Sequence, residues 1–376
     1  MPEQKPECIH WNECNGCPLM NLSYEEQLKL KQGELKIIFS GLWEQEIPIQ
    51  PSEKRFFYRG KLELAFLDGR LGFRKKDSHG EVFSVKECLL MDAKANEIVK
   101  FLEKKFNELG LMHYDVMKRS GFLRYVVLRH AKETGQFMVN IVSASEEHEK
   151  EINEIAAELA VKFGVESVNW VVNETLSDTA AGKLHKSFGS DFIQEKFLEC
   201  GFLINHESFF QANKVQAEKL FMKILAEIRG EDIVLDVFCG IGAFTLPAAK
   251  KCAKAFGMEI SEASVELARK NAVLNGVKNA EFIAGKARAQ LKFFTEKADV
   301  VVLDPPRAGL DKKTALRALE KGARKVFYVS CNPETLARDL RLMLEQGTYR
   351  LEGLKAFDFF PQAKHTECLA VLTENV

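Results

Sequence analysis

One thiol and two carboxylates stand out as groups able to do chemistry. Cys331 lies in Phe327-Tyr328-Val329-Ser330-Cys331-Asn332-Pro333-Glu334, at the end of an apolar run from Lys325 to Val329. The run reads as a buried strand; Asn332 can cap a following helix, and Pro333 suits its first turn. A helix N-terminus carries partial positive charge, so the thiol is expected to tilt toward thiolate, the form that attacks carbon. Upstream, Leu303-Asp304-Pro305-Pro306-Arg307 ends a second strand in a polar turn and would set a carboxylate beside the thiol. Downstream, Glu367 in Lys364-His365-Thr366-Glu367-Cys368 precedes the last apolar strand. Each also has a plainer reading: a core cysteine, a turn aspartate, a solvated glutamate at a strand start.

A nucleoside cofactor is indicated by Leu235-Asp236-Val237-Phe238-Cys239-Gly240-Ile241-Gly242-Ala243-Phe244-Thr245. Gly240 and Gly242 let a ligand approach the backbone where a helix begins. Glu259 ends the next strand, where an acid accepts hydrogen bonds from ribose hydroxyls. Thr245 stands where a dinucleotide motif would carry its third glycine. The loop instead resembles those of S-adenosylmethionine-dependent methyltransferases. Many of these carry an Asp where Lys286 stands, so Lys286 receives no role. A methyl donor beside a cysteine points to an acceptor carbon that is a poor nucleophile, such as C5 of a pyrimidine. A thiolate adding to C6 makes C5 nucleophilic, and a base must then remove the C5 proton. An exocyclic amino group, the target hinted at by the faint likeness of Asp304-Pro305-Pro306-Arg307 to Asn-Pro-Pro-Tyr, needs no covalent cysteine.

The elements that position these groups read as α/β. From about Ser208, strands at Ile233–Val237, Ala255–Met258, Glu281–Ala284, Val300–Leu303 and Val326–Val329 alternate with helices, the pattern of a doubly wound parallel sheet. Two further strands near Leu351–Phe359 and Leu369–Leu372 have no convincing helix between them, so an antiparallel terminal pair is expected. The stretch from Phe56 to about Ser190 reads as α+β, with a hairpin turn at Asp68-Gly69. Ser23 to Phe39 reads as an amphipathic helix with Ser23 and Glu26 as a capping box. The expected domains are a cysteine-cluster segment over 1–50, a central α+β domain over 51–200 and a catalytic domain over 201–376.

Cys8, Cys14 and Cys17, with the distant Cys88, form a possible four-thiolate set; zinc, an iron–sulfur cluster and no ligand all remain open on spacing. Cys200, Cys239, Cys252 and Cys368 read as core or turn residues. The net charge of −1, from 53 basic and 54 acidic side chains, means that any nucleic-acid binding comes from a local patch. One candidate holds Lys54, Arg55, Arg59, Lys61, Arg70, Arg74, Lys75 and Lys76, interleaved with Phe56, Phe57 and Tyr58. A second holds Lys118, Arg119, Arg124 and Arg129. No apolar run approaches the ~20 residues of a membrane helix, and the polar stretch from Met1 to Glu7 is no signal peptide, so a cytoplasmic location is expected. The oligomeric state stays open, with a monomer favoured.

Five motifs in order resemble the RNA uracil-C5-methyltransferase family. These are Ser208-Phe209-Phe210-Gln211-Ala212-Asn213, the loop from Phe238, the Asp304 turn, Ser330-Cys331-Asn332-Pro333-Glu334-Thr335 and His365-Thr366-Glu367. The resemblance implies Cys331 as nucleophile, Glu367 as proton-abstracting base and Asp304 at the uracil and methyl-donor site. It implies Gln211, Phe238, Gly240 and Glu259 as contacts to S-adenosylmethionine; Ala243 departs from members with Asn. Arg59-Gly60-Lys61 also resembles a basic segment of the family and points that patch toward RNA. A [4Fe–4S] cluster on Cys8, Cys14, Cys17 and Cys88 is implied as well. Seven residues precede Cys8, so the oligonucleotide-binding barrel of some members is expected to be absent. The short form resembles enzymes acting on a 23S ribosomal RNA loop; transfer RNA is the alternative. An RNA-binding protein with a decayed catalytic half is disfavoured by the intact Cys331 and Glu367.

Overall fold

The computed structural model describes residues 6–78 and 80–375, so most of the polar stretch before Glu7 lies outside them. The chain divides into two compact units. The first comprises residues up to Asn21, then Lys54–Lys196 and Leu203–Glu207; the second comprises Leu22–Glu53, Phe197–Phe202 and Ser208–Val376.

The first unit is built on a seven-stranded mixed sheet in the order Val82–Ser84, Arg70–Arg74, Lys61–Leu67, Leu123–His130, Phe137–Ser143, Ser167–Val172, Lys183–Gly189. Asp68 and Gly69, both at positive φ, turn the first hairpin, as their types require. Helices Ala93–Glu108 and Glu149–Phe163 bury Ile98, Leu102, Phe106, Ile152 and Leu159 in one core with Val126, Leu128, Val139 and Ile141 of the sheet.

The second unit holds the strands β1 (Ile49–Gln50), β2 (Ile233–Val237), β3 (Lys254–Glu259), β4 (Ala280–Ala284), β5 (Val300–Leu303), β6 (Lys325–Ser330), β7 (Tyr349–Phe357) and β8 (Glu367–Glu374). Its helices are α1 (Tyr24–Ile38), α2 (Lys214–Leu225), α3 (Thr245–Ala249), α4 (Glu262–Leu274), α5 (Ala287–Phe293), α6 (Lys312–Leu319) and α7 (Pro333–Leu344). The sheet runs β1-β7-β8-β6-β5-β2-β3-β4. Strands β2 to β6 are mutually parallel, while β8 is antiparallel to both β6 and β7. The order reverses between β2 and β5, which opens a crevice at the carboxyl ends of those strands.

Leu22–Glu53 falls in the second unit and residues up to Asn21 in the first, so the expected 1–50 segment is divided between them. The capping box forms as expected, with Ser23 and Glu26 satisfying each other's backbone donors. What joins α1 to this unit is long-range: Lys31 is fully buried, its Nζ 2.6 Å from Asp358 Oδ1, and Tyr24 donates to the other Asp358 oxygen at 2.8 Å. Gln27 and Gln362 exchange two further hydrogen bonds. The loop leading into β8 is thereby anchored.

Candidate active site and cysteine cavity

Strand register brings the reactive groups together. Ser330 of β6 pairs with Cys368 of β8 in antiparallel register, so the next pair outward is Cys331 and Glu367. Leu303 of β5 pairs with Tyr328 of β6, which sets Asp304 on the neighbouring strand end. Asp236 of β2 is matched with Val302 of β5. Four adjacent strands therefore deliver Asp236, Asp304, Cys331 and Glu367 to one edge of the sheet. An antiparallel β8 is what allows a residue that begins a strand to meet residues that end them.

Local structure fixes the nucleophile's turn. Asn332 Oδ1 accepts from the Glu334 amide at 3.1 Å, and Pro333 occupies the first turn of α7. Ser330 Oγ accepts from the Asn332 amide at 3.1 Å. The Asp304–Arg307 turn is tied to the same helix, because Thr335 and Arg338 donate to the carbonyls of Arg307 and Ala308.

The expected tilt toward thiolate is overturned. Burial, then the carboxylates of Glu367 and Asp304, push the Cys331 thiol up to about 11; Arg307 pulls the other way and does not prevail. Asp304 is itself held up at about 7 by burial and by Asp236. Glu367, 4% exposed, is raised well above the ordinary carboxyl range by burial and by Asp304. Among the described residues neither carboxyl has a hydrogen-bond partner. Two buried, unpartnered carboxyls, both raised and both close to a thiol, mark a candidate functional site.

A cavity of about 460 Å3 opens at the β2/β5 crevice, lined by Phe209, Phe210, Gln211, Phe238, Ala243 and Asp304 among others. Phe238 is at φ +72°, and Gly240 and Gly242 are also at positive φ. A Cβ on Gly242 would meet the Phe282 ring at 3.2 Å, whereas Gly240 faces open space. Glu259 accepts from the Gly240 amide at 3.2 Å and from the Ser261 amide at 3.0 Å. Thr245, in the third-glycine position, donates to Asp236 at 2.5 Å and partners a carboxyl raised to about 7 by burial. Asp236 carries no expectation from the sequence beyond that of a single acid in a buried strand. Lys286 precedes α5 without a side-chain cap bond.

In the first unit, Cys8, Cys14, Cys17 and Cys88 all line one cavity of about 390 Å3. Asn96 holds the Cys88 backbone at both its amide and carbonyl, and Cys14 bridges to Lys75 of the sheet. Burial, then the thiolates of Cys88, Cys14 and Cys8, push Cys17 up to about 12. Among the described residues no three His, Cys, Asp or Glu side chains gather as one metal ion needs. Cys200, Cys239, Cys252 and Cys368 are buried, as expected of core residues.

The second basic patch does not form, because half of it is buried. Arg124 is buried and donates to the carbonyls of Asn173, Thr175 and Ser177, and Arg129 is buried with its guanidinium toward His206. Lys118 and Arg119 remain exposed. In the first patch Tyr58 is buried, Phe57 is 51% exposed, and Arg74, Lys75 and Lys61 each pair with an acid.

Residues 179–375 match the model of the tRNA (uracil-5-)-methyltransferase family. The chain belongs to the RNA uracil-C5-methyltransferase family. It is 34% identical over 368 residues to the tRNA (uracil(54)-C(5))-methyltransferase of Pyrococcus abyssi, covering 98% of this chain and 85% of that protein. It is 35% identical over 383 residues to an uncharacterized RNA methyltransferase of Clostridium tetani, covering 97% and 83%. The crystal structure of the Pyrococcus abyssi enzyme in complex with S-adenosyl-L-homocysteine superposes with a TM-score of 0.82 at 33% identity, covering 96% of this chain and 86% of that one. The RNA uracil-C5 methyltransferase described here thus has the methyltransferase fold that its alternating strands predict. Among the described residues no helix is long and apolar enough to cross a membrane.

Proposed function

We propose that this enzyme methylates C5 of a uridine in RNA with S-adenosylmethionine, through a covalent bond from Cys331 to C6. The observation that carries the reading is the juxtaposition of Cys331 with Glu367 across the β6/β8 register, beside an unpartnered Asp304. The cofactor's residues are Gln211, Phe238, Gly240 and Glu259, with Asp304 at the reacting end; an aromatic cavity with an open Gly240 backbone and a fixed carboxylate suits a nucleoside. S-adenosylmethionine, when bound, supplies an electrophilic methyl on a cationic sulfur.

The remaining steps belong to the chain's own groups. Cys331 loses its thiol proton to solvent water in the open cavity, and Sγ bonds to C6; the C5–C6 π electrons move onto the C4 carbonyl, leaving an enolate whose C5 is nucleophilic. After C5 has taken the methyl group, Glu367 accepts the C5 proton; the Sγ–C6 bond breaks and the C5–C6 double bond returns. Asp304 accepts the N3–H of uracil, which cytosine lacks. Because C5 and C6 are inaccessible within a duplex, the uridine must be extruded or lie in a loop.

For the target we favour transfer RNA, as in the printed name of the Pyrococcus abyssi relative, over 23S ribosomal RNA. A [4Fe–4S] cluster on Cys8, Cys14, Cys17 and Cys88 is part of this reading, supported by their shared cavity; Cys17, raised by burial and then by the other three thiolates, would be relieved by an iron core. A cytoplasmic site of action accords with an RNA substrate. The test is to incubate the purified protein with methyl-labelled S-adenosylmethionine and, separately, unmodified transfer RNA and 23S RNA, then map 5-methyluridine. Label in a transfer-RNA loop is expected. Label in 23S RNA alone would reassign the target, and label in neither would sink the activity.

A further inference from the structure

A second cavity, of about 590 Å3, opens on the Cys331 thiol and is distinct in its walls from the aromatic one. Its lining includes Lys31, Glu34, Arg307, Cys331, Glu334 and Lys364. The Asp304–Arg307 turn separates the two: Asp304 lines the first cavity and Arg307 the second. The walls differ in chemistry. Five phenylalanines line the aromatic cavity, whereas His365 is the sole aromatic ring on the second. With one imidazole against five phenyl rings, the second wall offers little stacking surface beyond the place of the reacting base at Cys331, and suits the nucleotide backbone better than a second base.

Its cations are not equivalent. Lys31 is held by Asp358 and the Phe360 carbonyl. Arg307 and Lys364 are exposed, and among the described residues neither side chain has an acceptor or acid as partner. The backbone under Arg307 is held by the hydrogen bond from Thr335, so the guanidinium projects from a fixed turn. Glu34 and Glu334 stand on the same walls, and the mixture of donors and acceptors matches a sugar with hydroxyls beside a phosphate better than a bare anion.

We propose that this cavity seats the ribose-phosphate flanking the extruded uridine, with Arg307 and Lys364 holding the phosphate and the carboxylates of Glu34 and Glu334 accepting from ribose hydroxyls. The inference deepens the uracil-methylating reading of Cys331 and rests on it. It makes the turn after Asp304 two-faced, with one residue at the base and another at the backbone, so that a single rigid segment sets the uridine's position from both ends.

The probe is a T-arm hairpin RNA with 5-fluorouridine at the target position, in which the phosphate on either side of it is replaced in turn by a neutral methylphosphonate. With wild-type protein, one of the two replacements is expected to slow covalent trapping roughly tenfold, as removal of a phosphate charge held by cations would. In the R307A/K364A double variant the unmodified hairpin should already be slowed to that extent, and the replacement should cost nothing further. The salt dependence of hairpin binding should also shrink, by about one unit of slope for each cation removed from a phosphate. Arg307→Lys, which keeps the charge, should restore sensitivity to the replacement. Equal slowing by the methylphosphonate in wild type and double variant overturns the proposal while leaving the methylation reading intact. Absence of any adduct between wild type and either the unmodified hairpin or 23S RNA carrying 5-fluorouridine overturns both.

Discussion

Two cysteine centres in one chain use the same side chain in opposite ways. Cys331 is a single thiol at a strand end whose neighbours are carboxyls, and its reach into an open cavity is preserved. Cys17 is half-buried beside three other cysteines; desolvation raises it first, and neighbouring thiolates raise it further. Both are pushed up, to about 11 and about 12, but the remedies differ. At Cys331 the raising charges are acids that can themselves hold protons, so the cost of ionising the thiol changes as substrate and cofactor rearrange the site. At Cys14, Cys17 and Cys88 the first cause is burial and neighbouring thiolates add to it, so the proposed cationic cluster would ease all three together. A raised thiol is thus no guide to function by itself; what surrounds it is.

The comparison can be broken most sharply at the nucleophile. Cys331→Ala should lower methylation on the order of 10^4-fold or more and leave the iron content unchanged. A variant that methylates normally would reduce Cys331 to a bystander. Next in size, Glu367→Gln should cut turnover roughly 10^2- to 10^4-fold, in keeping with loss of a general base. It should accumulate the RNA–protein adduct on ordinary uridine, because the C5 proton then has no acceptor. Turnover at the wild-type rate would remove Glu367 from that role.

In the other centre, Cys17→Ser should lower bound iron, measured by chelation assay and visible absorption, and lower the unfolding temperature. The rate of 5-fluorouridine trapping per folded molecule should stay the same. Equal zinc and no iron in wild type would replace the cluster with a single ion.

Smaller effects follow from the titrations. With its pKa at about 11, Cys331 is thiolate in only about one part in 10^4 at pH 7. Alkylation at this position, followed by peptide mass spectrometry, should rise about tenfold per pH unit through the range below that value. A plateau near neutral pH would restore the thiolate expected from the helix N-terminus alone. Asp304 keeps its proton to about 7 in the fold but releases it near 3.8 when unfolded. The unfolded chain therefore binds fewer protons between these values, and the stability present below about 3.8 is lost as pH rises through 7. Asp304→Asn should unfold at a higher temperature than wild type at pH 8, with the difference vanishing toward pH 4. No difference at pH 8 would show that Asp304 carries no burial penalty.

Legibility followed locality. The strand-turn segments around Cys331, Asp304 and Gly240, and the caps at Ser23 and Asn332, depend on residues within one turn of each other, and all were readable. The antiparallel end of the sheet was readable because no helix pattern lies between β7 and β8. What escaped was made by distant partners. The buried Lys31–Asp358 pair moves α1 into the catalytic unit, and nothing in the amphipathic pattern of α1 announces it. Strand β1 is two residues long, too short for any alternation to register. Arg124 looked like surface charge because its three carbonyl acceptors lie some fifty residues away. The Cys331 thiol reads as activated because its helix is adjacent in sequence, whereas the burial that outweighs that helix, and the carboxylates that add to it, come from other strands.

The central claim is that Cys331 bonds to C6 of a uridine. The direct measurement is denaturing electrophoresis and peptide mapping after incubation with S-adenosylmethionine and RNA carrying 5-fluorouridine, whose fluorine cannot leave as a proton. The account predicts a stable adduct in which the methylated nucleotide is linked to the peptide containing Cys331. An adduct mapped to another cysteine, or complete methylation with no adduct at any time, would contradict it.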